Sequence, residues 1–531
     1  MTMRRVLVAA FGAATLSVAG LAAPASAASD SCVGGPGCAA SLQAAVDAAK
    51  PGSTIRIAAG TYAGGVRISK SLKLIGSGAA KTVIRGGGPV LRIDTTSANP
   101  PTVVISGLTV TGGLWHDDGI NAFGAGILIP FGPGQGPGAT VTLREVVVSD
   151  NTTEPTTTSP SPSGVKCPDG DCPYAGSFGG GIAAFGSTLL IERSQITRNT
   201  NAGRASDAGG AGIYTSGGSL TVRSSAVTDN TAAPKEIGRY AEAGGIWTNA
   251  TTTTILDSLI SGNSSVLVTT WPSKPQGNLL EMLAMGGGVH IANGGSVTVK
   301  DTKIVGNSLV ADDPLGEPVA FGAGFQVDDG SALVMQRSTI SKNRIDVRTA
   351  TTEDVGGSGV AAEFDAAGEV TDVQVTDNTT TVTSIDGQAA VTGALATYAN
   401  NPQLLVLTRV VVKDNSAVAR SRNGSALAQG GGIVNQGLME LRNVTVKDNT
   451  TAAYAPTATA QGGGIYNGQL IFDQQIALTA SNSSITGNAA VTSPGGTAQG
   501  GGIFSTAPLT INGTRVAGNR PDQCVGCTAT G

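Results

Sequence analysis

The sequence predicts an all-β solenoid in which short parallel strands stack coil upon coil. A unit of a glycine cluster, three short apolar strands and a closing asparagine reads GGAGIYTSGGSLTVRSSAVTDN at residues 209–230. The unit recurs along most of the chain, with closing asparagines mostly 31 to 39 residues apart, and 44 or 48 apart where inserts occur. Such a period is typical of repeat architectures. We therefore expect one continuous body of roughly 12–14 coils instead of separate globular domains.

The first 27 residues have the composition of a secretory signal peptide. Arg4 and Arg5 precede an apolar core from Val6 to Ala22, and Ala25-Ser26-Ala27 is a small-residue cleavage motif. A membrane anchor is the alternative, but the core is short and rich in Ala and Gly. We therefore expect a secreted protein, extracellular or associated with the cell surface, with no membrane insertion once the signal is removed.

The chain carries little charge. A net charge of -4 and a charged fraction of 13% leave no basic patch for nucleic acid and no polybasic run for a membrane surface. We expect neither of these partners, and we expect a monomer.

The 6 cysteines fall into local pairs, which in an exported protein favours disulfide bonds. The predicted bonds join Cys32 to Cys38, Cys167 to Cys172, and Cys524 to Cys527. A long-range bridge between these pairs is the alternative. Zinc binding at the last pair is not expected, because no second such pair and no histidine lies nearby in the sequence. No metal site is predicted.

One helix is predicted, over Ala39–Ala49. Its apolar residues recur at helical spacing, Ser41 can cap its start, and Pro51-Gly52 ends it. We interpret it as a cap, since the first coil would otherwise expose an unpaired strand edge. Residues 28–106 then comprise this cap and the first coils, residues 107–520 the repeats with loop inserts, and residues 521–531 a C-terminal cap or tail.

The repeated features have structural explanations. Alternation of apolar and polar residues, as in Ser219–Val222, places one set of side chains inside, and the glycine clusters mark backbone that must bend sharply. In-register stacking would bring the closing asparagines into an amide ladder. We interpret the aspartates directly before five of them as polar turn residues, with a calcium-binding edge as the alternative: Asp150, Asp229, Asp377, Asp414 and Asp448.

Variable segments lie between each closing asparagine and the next glycine cluster, and we predict that they are loops on one side of the stack. They include residues 152–178, 231–243, 264–285 and 308–321. Because repeat proteins commonly carry their binding face on such loops, we expect specificity there.

Part of the chain resembles a known family. Leu42-Gln43-Ala44-Ala45-Val46 and Pro51-Gly52-Ser53-Thr54-Ile55, followed by Ala59-Gly60-Thr61-Tyr62, resemble the first coil of the right-handed parallel β-helix family of the pectin-lyase-like superfamily. The later Gly-Gly-Gly-Ile and x-x-x-Asn pairs are similar to the repeats of polymorphic outer-membrane adhesin passengers. The resemblance implies a single-stranded right-handed parallel β-helix. It implies little about activity, because the superfamily includes lyases, hydrolases, epimerases, phage tailspikes and adhesins.

A hydrolase on this fold would need two carboxylates that project into one groove. The candidate stretches are His116-Asp117-Asp118, which follows Trp115, then Asp312-Asp313 and Asp328-Asp329. Asp117 and Asp118 lie in an insert, where solvated acidic turn residues are the ordinary explanation. The residues do not match the family hydrolase's pattern of Asn-x-Asp, Asp-Asp and Gly-His-Gly in successive coils. A lyase would need calcium beside a uronate and a base, and the sequence identifies no base.

Aromatic side chains are candidates for stacking on sugar rings, and we single out Trp115 and Trp271. Trp247 lies in a predicted strand, where packing is an equal explanation. Alternation opposes His290 to Val289 and Ile291, which predicts an exposed strand residue. A Ser-His-Asp triad is not expected in a chain with 2 histidines.

The sequence therefore predicts a secreted, non-catalytic β-helix protein of surface-adhesin or carbohydrate-recognition type, whose partner is a polysaccharide or a cell-surface glycan. A polysaccharide lyase or glycoside hydrolase of the same superfamily is the alternative. A structural scaffold with no sugar ligand is the third hypothesis. No cofactor is expected, except that the lyase alternative would bring calcium.

Overall fold

A computed structural model describes residues 31–95, 99–116, 121–155, 159–160, 166–167, 170–171, 173–203, 207–234, 240–268, 282–313, 316–328, 330–350, 355–359, 362–364, 367–397, 404–469 and 475–527. Within these ranges the chain winds into one stack of coils whose strands pair in parallel from coil to coil. The predicted parallel β-helix is confirmed.

The predicted capping helix forms over Leu42–Ala48. Ser41 accepts a hydrogen bond from the amide of Ala44 through its Oγ, at 3.1 Å, as an N-cap residue does. The buried face of the helix packs on strands Ser31–Val33 and Val66–Ile68, which removes the open apolar end of the core from water.

A full coil contains five strand segments, and these stack into four sheets. After a glycine cluster the chain enters the first column of sheet A, turns into the second column of sheet A, and passes to sheet B. It then turns at the closing asparagine into sheet C and returns through sheet D to the next glycine cluster. In one coil the segments are Val289–Ala292, Ser296–Lys300, Lys303–Val305, Ser308–Asp312 and Pro318–Phe321.

Sheet A has 27 strands, two of which, Ile182–Glu192 and Ile213–Arg223, run through both columns. The other strands of its first column are Val66–Ile68, Leu91–Ile93, Ile127–Ile129, Ile246–Asn249, Val289–Ala292, Phe325–Val327, Ala362–Phe364, Leu395–Thr397, Ile433–Asn435, Ile465–Asn467, Ile503–Ser505 and Cys524–Val525. Those of its second column are Ser31–Val33, Thr54–Ile57, Leu72–Gly76, Thr102–Ser106, Thr140–Arg144, Thr252–Leu256, Ser296–Lys300, Ala332–Gln336, Ala367–Thr371, Leu404–Thr408, Leu438–Arg442, Ala477–Ser481 and Leu509–Asn512.

Sheet B comprises Gly60–Ala63, Thr82–Arg85, Thr109–Thr111, Val147–Ser149, Gln195–Thr197, Ala226–Thr228, Leu259–Ser261, Lys303–Val305, Thr339–Ser341, Gln374–Thr376, Val411–Lys413, Thr445–Lys447, Ser484–Thr486 and Arg515–Ala517. Each coil contributes one of these 14 strands, so the described part of the chain has a coil number within the predicted range.

Sheets C and D have 11 strands each. Sheet C comprises Leu114–Trp115, Thr152–Thr153, Thr200–Asn201, Thr231–Ala232, Ser264–Val268, Ser308–Asp312, Arg344–Arg348, Thr379–Ser384, Ser416–Ser421, Thr450–Tyr454 and Ala489–Thr492. Sheet D comprises Asn121–Phe123, Gly176–Phe178, Asp207–Gly209, Tyr240–Glu242, Met282–Met285, Pro318–Phe321, Val355–Ser358, Gln388–Thr392, Ser425–Gln429, Thr457–Gln461 and Thr497–Gln499. The remaining elements are the short helix Pro133–Gln135 and two antiparallel pairs, Ser159–Pro160 with Pro173–Tyr174 and Lys166–Cys167 with Gly170–Asp171.

Apolar ladders fill the inside of the stack. In the first column of sheet A, Ile213, Ile246, Val289 and Phe325 lie in register and are each 0% exposed. Burying one such side chain stabilises the fold by roughly 1.5–3 kcal/mol relative to leaving it in water. The residue after each of them points outward, which decides what lines the outer surface.

The predicted asparagine ladder is confirmed. From Asn151 to Asn488, each Nδ2 donates to the Oδ1 of the asparagine in the next coil, at 2.9–3.0 Å, and the ladder ends at Asn519. The same Oδ1 also accepts from a backbone amide, as when the amide of Asn263 donates to Asn307 at 3.1 Å. The aspartates before five of these residues have φ of 55–58°, which confirms them as left-handed turn residues.

The repeat unit has more strands than predicted. The prediction of loops between each asparagine and the next glycine cluster is wrong for part of each segment, because in-register strands of sheets C and D lie there. Residues 264–285, for example, supply Ser264–Val268 and Met282–Met285. Small side chains such as Ala417 and Ala426 occupy buried positions in these strands, and alanine has a weak strand preference.

Two predicted disulfides are present, between Cys32 and Cys38 and between Cys524 and Cys527. The predicted bond between Cys167 and Cys172 lies outside the described residues, as does the predicted signal peptide. Strand Cys524–Val525 pairs with Ile503–Ser505, so the described part of the C-terminal tail belongs to the stack. No helix in the ranges that the structure describes is long and apolar enough to cross a bilayer.

Candidate functional site

A concave corner runs along the outside of the stack, where sheet D meets the first column of sheet A. The glycine clusters make this corner: Gly210, Gly286 and Gly322 have φ of +58°, +57° and +65°, which other residues rarely adopt. A Cβ atom on Gly210 would lie 2.5 Å from the carbonyl oxygen of Ile213. The chain therefore turns sharply, and the outward side chains on either side of each cluster share one space.

Two rows of outward residues define the concave corner over six coils. The row from sheet D is Phe123, Phe178, Gly209, Glu242, Met285 and Phe321. The row from sheet A is Leu128, Ala183, Tyr214, Trp247, His290 and Gln326.

Aromatic rings fill the N-terminal part of the concave corner. The ring centroid of Phe178 lies 5.3 Å from that of Tyr214 and 5.5 Å from that of Trp247. Tyr214 and Trp247 meet edge to face at 5.1 Å, and Phe123 and Phe185 extend the cluster toward the N-terminus. Each pair of this kind contributes roughly 0.5–1.5 kcal/mol beyond the area that it buries.

Trp247 occupies the centre of the corner because its neighbours leave room for it. Gly209 lies beside the indole, and a Cβ atom there would collide with the six-membered ring of Trp247. On the C-terminal side the indole lies parallel to the imidazole of His290, with 6.0 Å between ring centroids and 3° between planes.

His290 is buried, so the predicted exposure is wrong. Its side chain points away from the core, as the alternation requires, but it is only 2% exposed. An outward side chain at a concave corner is covered by the strand opposite. Its Nε2 lies 3.0 Å from Oδ2 of Asp328, and its Nδ1 lies 3.7 Å from Oε2 of Glu242.

The pKa values of the two carboxyl groups beside His290 are shifted in opposite directions. Burial raises the pKa of Glu242 to about 7, with His290 opposing and Asp328 and Asp207 adding to the rise. Burial would also raise the pKa of Asp328, but the imidazole of His290 outweighs it and lowers that pKa. For His290, burial would lower the pKa, but Asp328 and Glu242 outweigh it and raise it. The arrangement favours the ionised form of Asp328 and the protonated form of His290, and it keeps part of Glu242 protonated at a higher pH than usual.

Three buried polar atoms in this corner have no hydrogen-bond partner among the residues that the structure describes: Oε2 of Glu242, Nε1 of Trp247 and Nδ1 of His290. Buried polar atoms without partners are uncommon in folded proteins, because each costs about 1–3 kcal/mol. Their occurrence together marks a place where an external polar group, from a ligand or from water, would be stabilised.

The predicted stretch around Trp115 lies elsewhere. Trp115 is a half-buried residue of sheet C, and His116 is exposed, with Nδ1 3.1 Å from the carbonyl oxygen of Glu154. Trp115 belongs to the coil of Phe123, three coils before that of Glu242 and thus about 14 Å away along the stack. The structure therefore does not bring these residues to the concave corner.

The other predicted site residues lie in three places, since Asp312 and Asp313 lie at the end of a sheet C strand, away from the corner. Asp117, Asp118 and Trp271 lie outside the described residues. Asp328 is one of the predicted acidic candidates, and the structure places it against His290. Trp247, for which packing was an equal explanation, lies at the centre of the corner.

Sequence reasoning missed Glu242 altogether. The signal that could have found it is positional: Glu242 precedes the turn at Ala243-Gly244-Gly245, and Trp247 follows two residues after it. Aligning the repeats on their glycine clusters places aromatic residues, histidine and glutamate at these two positions in neighbouring coils. Aromatic and titratable side chains that are concentrated at two positions of a repeat indicate a candidate binding site.

Metal binding has no support from this geometry. Within the residues that the structure describes, no group of three or more His, Cys, Asp or Glu side chains is arranged to hold an ion. The corner instead offers hydrogen-bond acceptors at two carboxylates, donors at Trp247 and His290, and aromatic rings beside them.

Comparison with solved structures gives several distant matches. The catalytic domain of a GH87 α-1,3-glucanase in complex with nigerose is 12% identical, with 92% of this chain and 68% of that chain covered and a TM-score of 0.31. The A-module of the Azotobacter vinelandii mannuronan C-5 epimerase AlgE6 is 12% identical, with coverages of 91% and 95% and a TM-score of 0.23. A Yersinia enterocolitica family 28 exopolygalacturonase is 9% identical, with coverages of 91% and 75% and a TM-score of 0.21.

Sequence comparison identifies the family more directly. No curated protein sequence matches this chain. The family model described as "Right handed beta helix region" matches residues 92–520, which is most of the chain and includes every residue of the concave corner. Together with the parallel, in-register coils, this match shows that the chain belongs to the right-handed β-helix family.

Proposed function

We propose that the concave corner binds a glycan, and that the protein is an exported β-helix protein of surface-adhesin or carbohydrate-recognition type. The observation that supports this most strongly is the row of aromatic rings beside three buried polar atoms that make no hydrogen bond within the described part of the chain. Ligand sites typically combine apolar and aromatic walls with a few convergent polar groups. A sugar ring offers both an apolar face and hydroxyl groups that suit such a wall.

The shape of the corner favours an extended ligand. Its rows continue in register over six coils, from Leu128 to Gln326. At about 4.8 Å per coil this length is about 24 Å. A polysaccharide chain lying along the stack would contact several coils at once, whereas a compact metabolite would contact one or two.

Export is part of the proposal. The signal-like composition of residues 1–27 and the disulfides at Cys32–Cys38 and Cys524–Cys527 are compatible with an oxidising, extracellular location. A surface adhesin and a secreted glycan receptor would both meet polysaccharides there.

A glycan array followed by calorimetry on the bound glycans tests the proposal. We expect Trp247→Phe, which keeps an aromatic ring but removes Nε1, to weaken binding about tenfold, and Trp247→Ala to abolish it. Tyr454→Ala is the matched control, because Tyr454 lies on sheet C, with Arg420 4.6 Å above its ring. Its binding should equal that of the wild type. If the array shows no binding, or if the wild type and the three variants bind equally, the glycan proposal fails and the scaffold hypothesis replaces it.

The sequence-predicted residues belong in the same assay. Trp115→Ala and Trp271→Ala test the proposal that these residues contribute to glycan binding from outside the concave corner. If these variants bind normally while Trp247→Ala does not, the corner alone carries recognition.

A glycan-cleaving enzyme is the second candidate, and one observation favours it. Glu242 and Asp328 flank His290, with the pKa of one raised to about 7 and that of the other lowered. When the environments of two carboxyl groups move their pKa values apart, one group can act as a general acid and the other as a base or nucleophile. The residues His116, Asp117 and Asp118 remain the competing catalytic candidates.

Depolymerisation assays on neutral polysaccharides, and on uronates with and without calcium, distinguish these possibilities. Release of reducing ends that is lost in Glu242→Gln and Asp328→Asn would assign cleavage to the concave corner. Loss in Asp117→Ala or Asp118→Ala would assign it to the other stretch. Binding without cleavage in every preparation would leave recognition as the function.

A further inference from the structure

We infer that the concave corner selects glycans that carry a positively charged amine, such as polymers of glucosamine, over neutral and acidic glycans. The inference rests on the proposed function and specifies the ligand class. It follows from the charges that face the corner and from the atoms that are left without partners there.

Acidic side chains outnumber basic ones among the described residues that face the corner. Asp207 and Glu242 lie on sheet D, and Asp328 follows the first column of sheet A. His290 is the single basic side chain in the two rows as the structure describes them, and its imidazole is engaged by Asp328 at 3.0 Å. Neither Lys nor Arg occurs in these rows. With Glu242 ionised, a ligand beside it would meet more negative than positive charge from these described groups.

The polar atom that a ligand would pair with is a buried carboxylate oxygen, so the ligand must displace the side chains that cover it. Oε2 of Glu242 has no hydrogen-bond partner in the described ranges, and Nδ1 of His290, in a side chain 2% exposed, faces it from 3.7 Å, beyond hydrogen-bond distance. An ammonium group is a strong donor to such an oxygen, because the bond is charge-assisted and water is largely absent. Nε1 of Trp247 would donate to a neighbouring sugar hydroxyl.

The same charges disfavour acidic and neutral glycans. A uronate carboxylate beside Glu242 would place like charges together, which costs several kcal/mol in a partly buried site. A neutral hydroxyl or acetamide group could reach Oε2, but bonds between neutral partners are roughly half as strong as charge-assisted ones. The groups that face Glu242 are His290, Asp328 and Asp207, and an ammonium ion would shift Glu242 further toward its ionised form.

Three oligosaccharides of equal length test the inference on the full chain at low salt and pH 6, where most amines of the glucosamine chain are protonated: β-1,4-linked glucosamine, its N-acetylated counterpart, and galacturonate. We expect glucosamine to bind at least about tenfold more tightly than the N-acetylated chain, and galacturonate to bind most weakly. In Glu242→Gln the difference between the first two should fall to about threefold or less. Asp372→Asn is the control, because it also removes one negative charge, from an exposed pair with Arg409, and should keep the preference.

Each outcome of this comparison bears on the charge selection, on the proposed glycan function, or on both. Equal affinity for the amine and its acetylated form, or a preference that survives in Glu242→Gln, would overturn the inference. If the acetylated or neutral chain binds well and that binding is lost in Trp247→Ala, the proposed glycan function stands and the charge selection is wrong. If no chain binds to the wild type, both fail. Thermal melting of Glu242→Gln shows whether the variant is folded.

Discussion

Glu242 and His290 lie on facing strands of the concave corner, and each alters the protonation of the other. The pKa of Glu242 is raised from 4.5 to about 7, so protonated Glu242 stabilises the fold relative to the ionised form. This contribution is fully present below the unfolded pKa and is lost as the pH rises through about 7. The raised pKa of His290 acts in the same direction.

We therefore predict that the wild type loses up to about 3 kcal/mol of its free energy of unfolding between pH 5 and pH 8. In Glu242→Gln most of that loss should disappear, because the amide does not titrate. Urea denaturation midpoints at several pH values measure the effect. Parallel pH profiles for the two proteins would show that Glu242 is not buried as described.

Gly209 provides a second test at this scale. A Cβ atom there would collide with Trp247, so Gly209→Ala should displace the indole and destabilise the protein by roughly 1–3 kcal/mol. Gly356 lies in the same sheet, and a Cβ on it would meet its nearest atom at 3.6 Å, an ordinary contact. Gly356→Ala should therefore be close to neutral. Trp fluorescence should shift in the first variant and not in the second, and equal shifts would contradict the packing at Gly209.

At the residue scale the sequence predicts little of the site. Alternation correctly predicts that the side chain of His290 points away from the core. It cannot indicate that the surface there is concave and that the strand opposite covers the side chain. Glu242 has no motif around it, and its partners His290 and Asp328 are 48 and 86 positions further along the chain. Contacts of that kind depend on the register of the coils, which single residues do not encode.

The asparagine ladder is the element that ties neighbouring coils together. Asn307 accepts from both the amide and the Nδ2 of Asn263, at 3.1 and 3.0 Å, and donates to Asn343 at 3.0 Å. Removing its side chain would leave buried donors unpaired on the neighbouring coil. Each unpaired group costs about 1–3 kcal/mol.

We predict that Asn307→Ala destabilises the protein by about 3 kcal/mol or more. The control, Asn512→Ala, removes an exposed asparagine from a strand end and should change stability by less than about 0.5 kcal/mol. Chemical denaturation of both variants gives the comparison. A small effect for Asn307→Ala would mean that the ladder is a consequence of stacking and contributes little to it.

Element prediction succeeds where side chains are large or chemically distinctive. The capping helix, the glycine corners, the asparagine ladder and the strands with Ile, Val and Leu are all confirmed. Sheets C and D are missed because their buried positions hold residues such as Ala389, Ala417 and Thr451, which give no clear apolar alternation. The loops expected on one side are consequently shorter than predicted.

At the scale of the whole molecule, each coil is a unit that contacts its neighbours in register. Residues 264–307 form one such unit, since Asn263 and Asn307 are 44 positions apart and stack directly on each other. Repeat proteins of this kind are held together by nearest-neighbour contacts between units. Removing a whole unit should preserve those contacts, because Ser308 would take the place of Ser264.

We predict that deletion of residues 264–307 gives a folded, strand-rich protein that has lost glycan binding, because His290 is removed. Deletion of residues 264–285 removes only the sheet C and sheet D strands of that coil. The coil can then no longer close, and this variant should not fold. Circular dichroism and thermal melting distinguish the two. Failure of the whole-coil deletion to fold would argue against interchangeable coils.

The central claim is that the concave corner between sheet D and sheet A is where a glycan binds. A crystal structure with a bound glucosamine oligosaccharide tests it most directly. We predict sugar density along the corner, with an amine nitrogen within hydrogen-bond distance of Oε2 of Glu242 and a hydroxyl group at Nε1 of Trp247. Sugar bound on another face, with the concave corner empty, would contradict the claim.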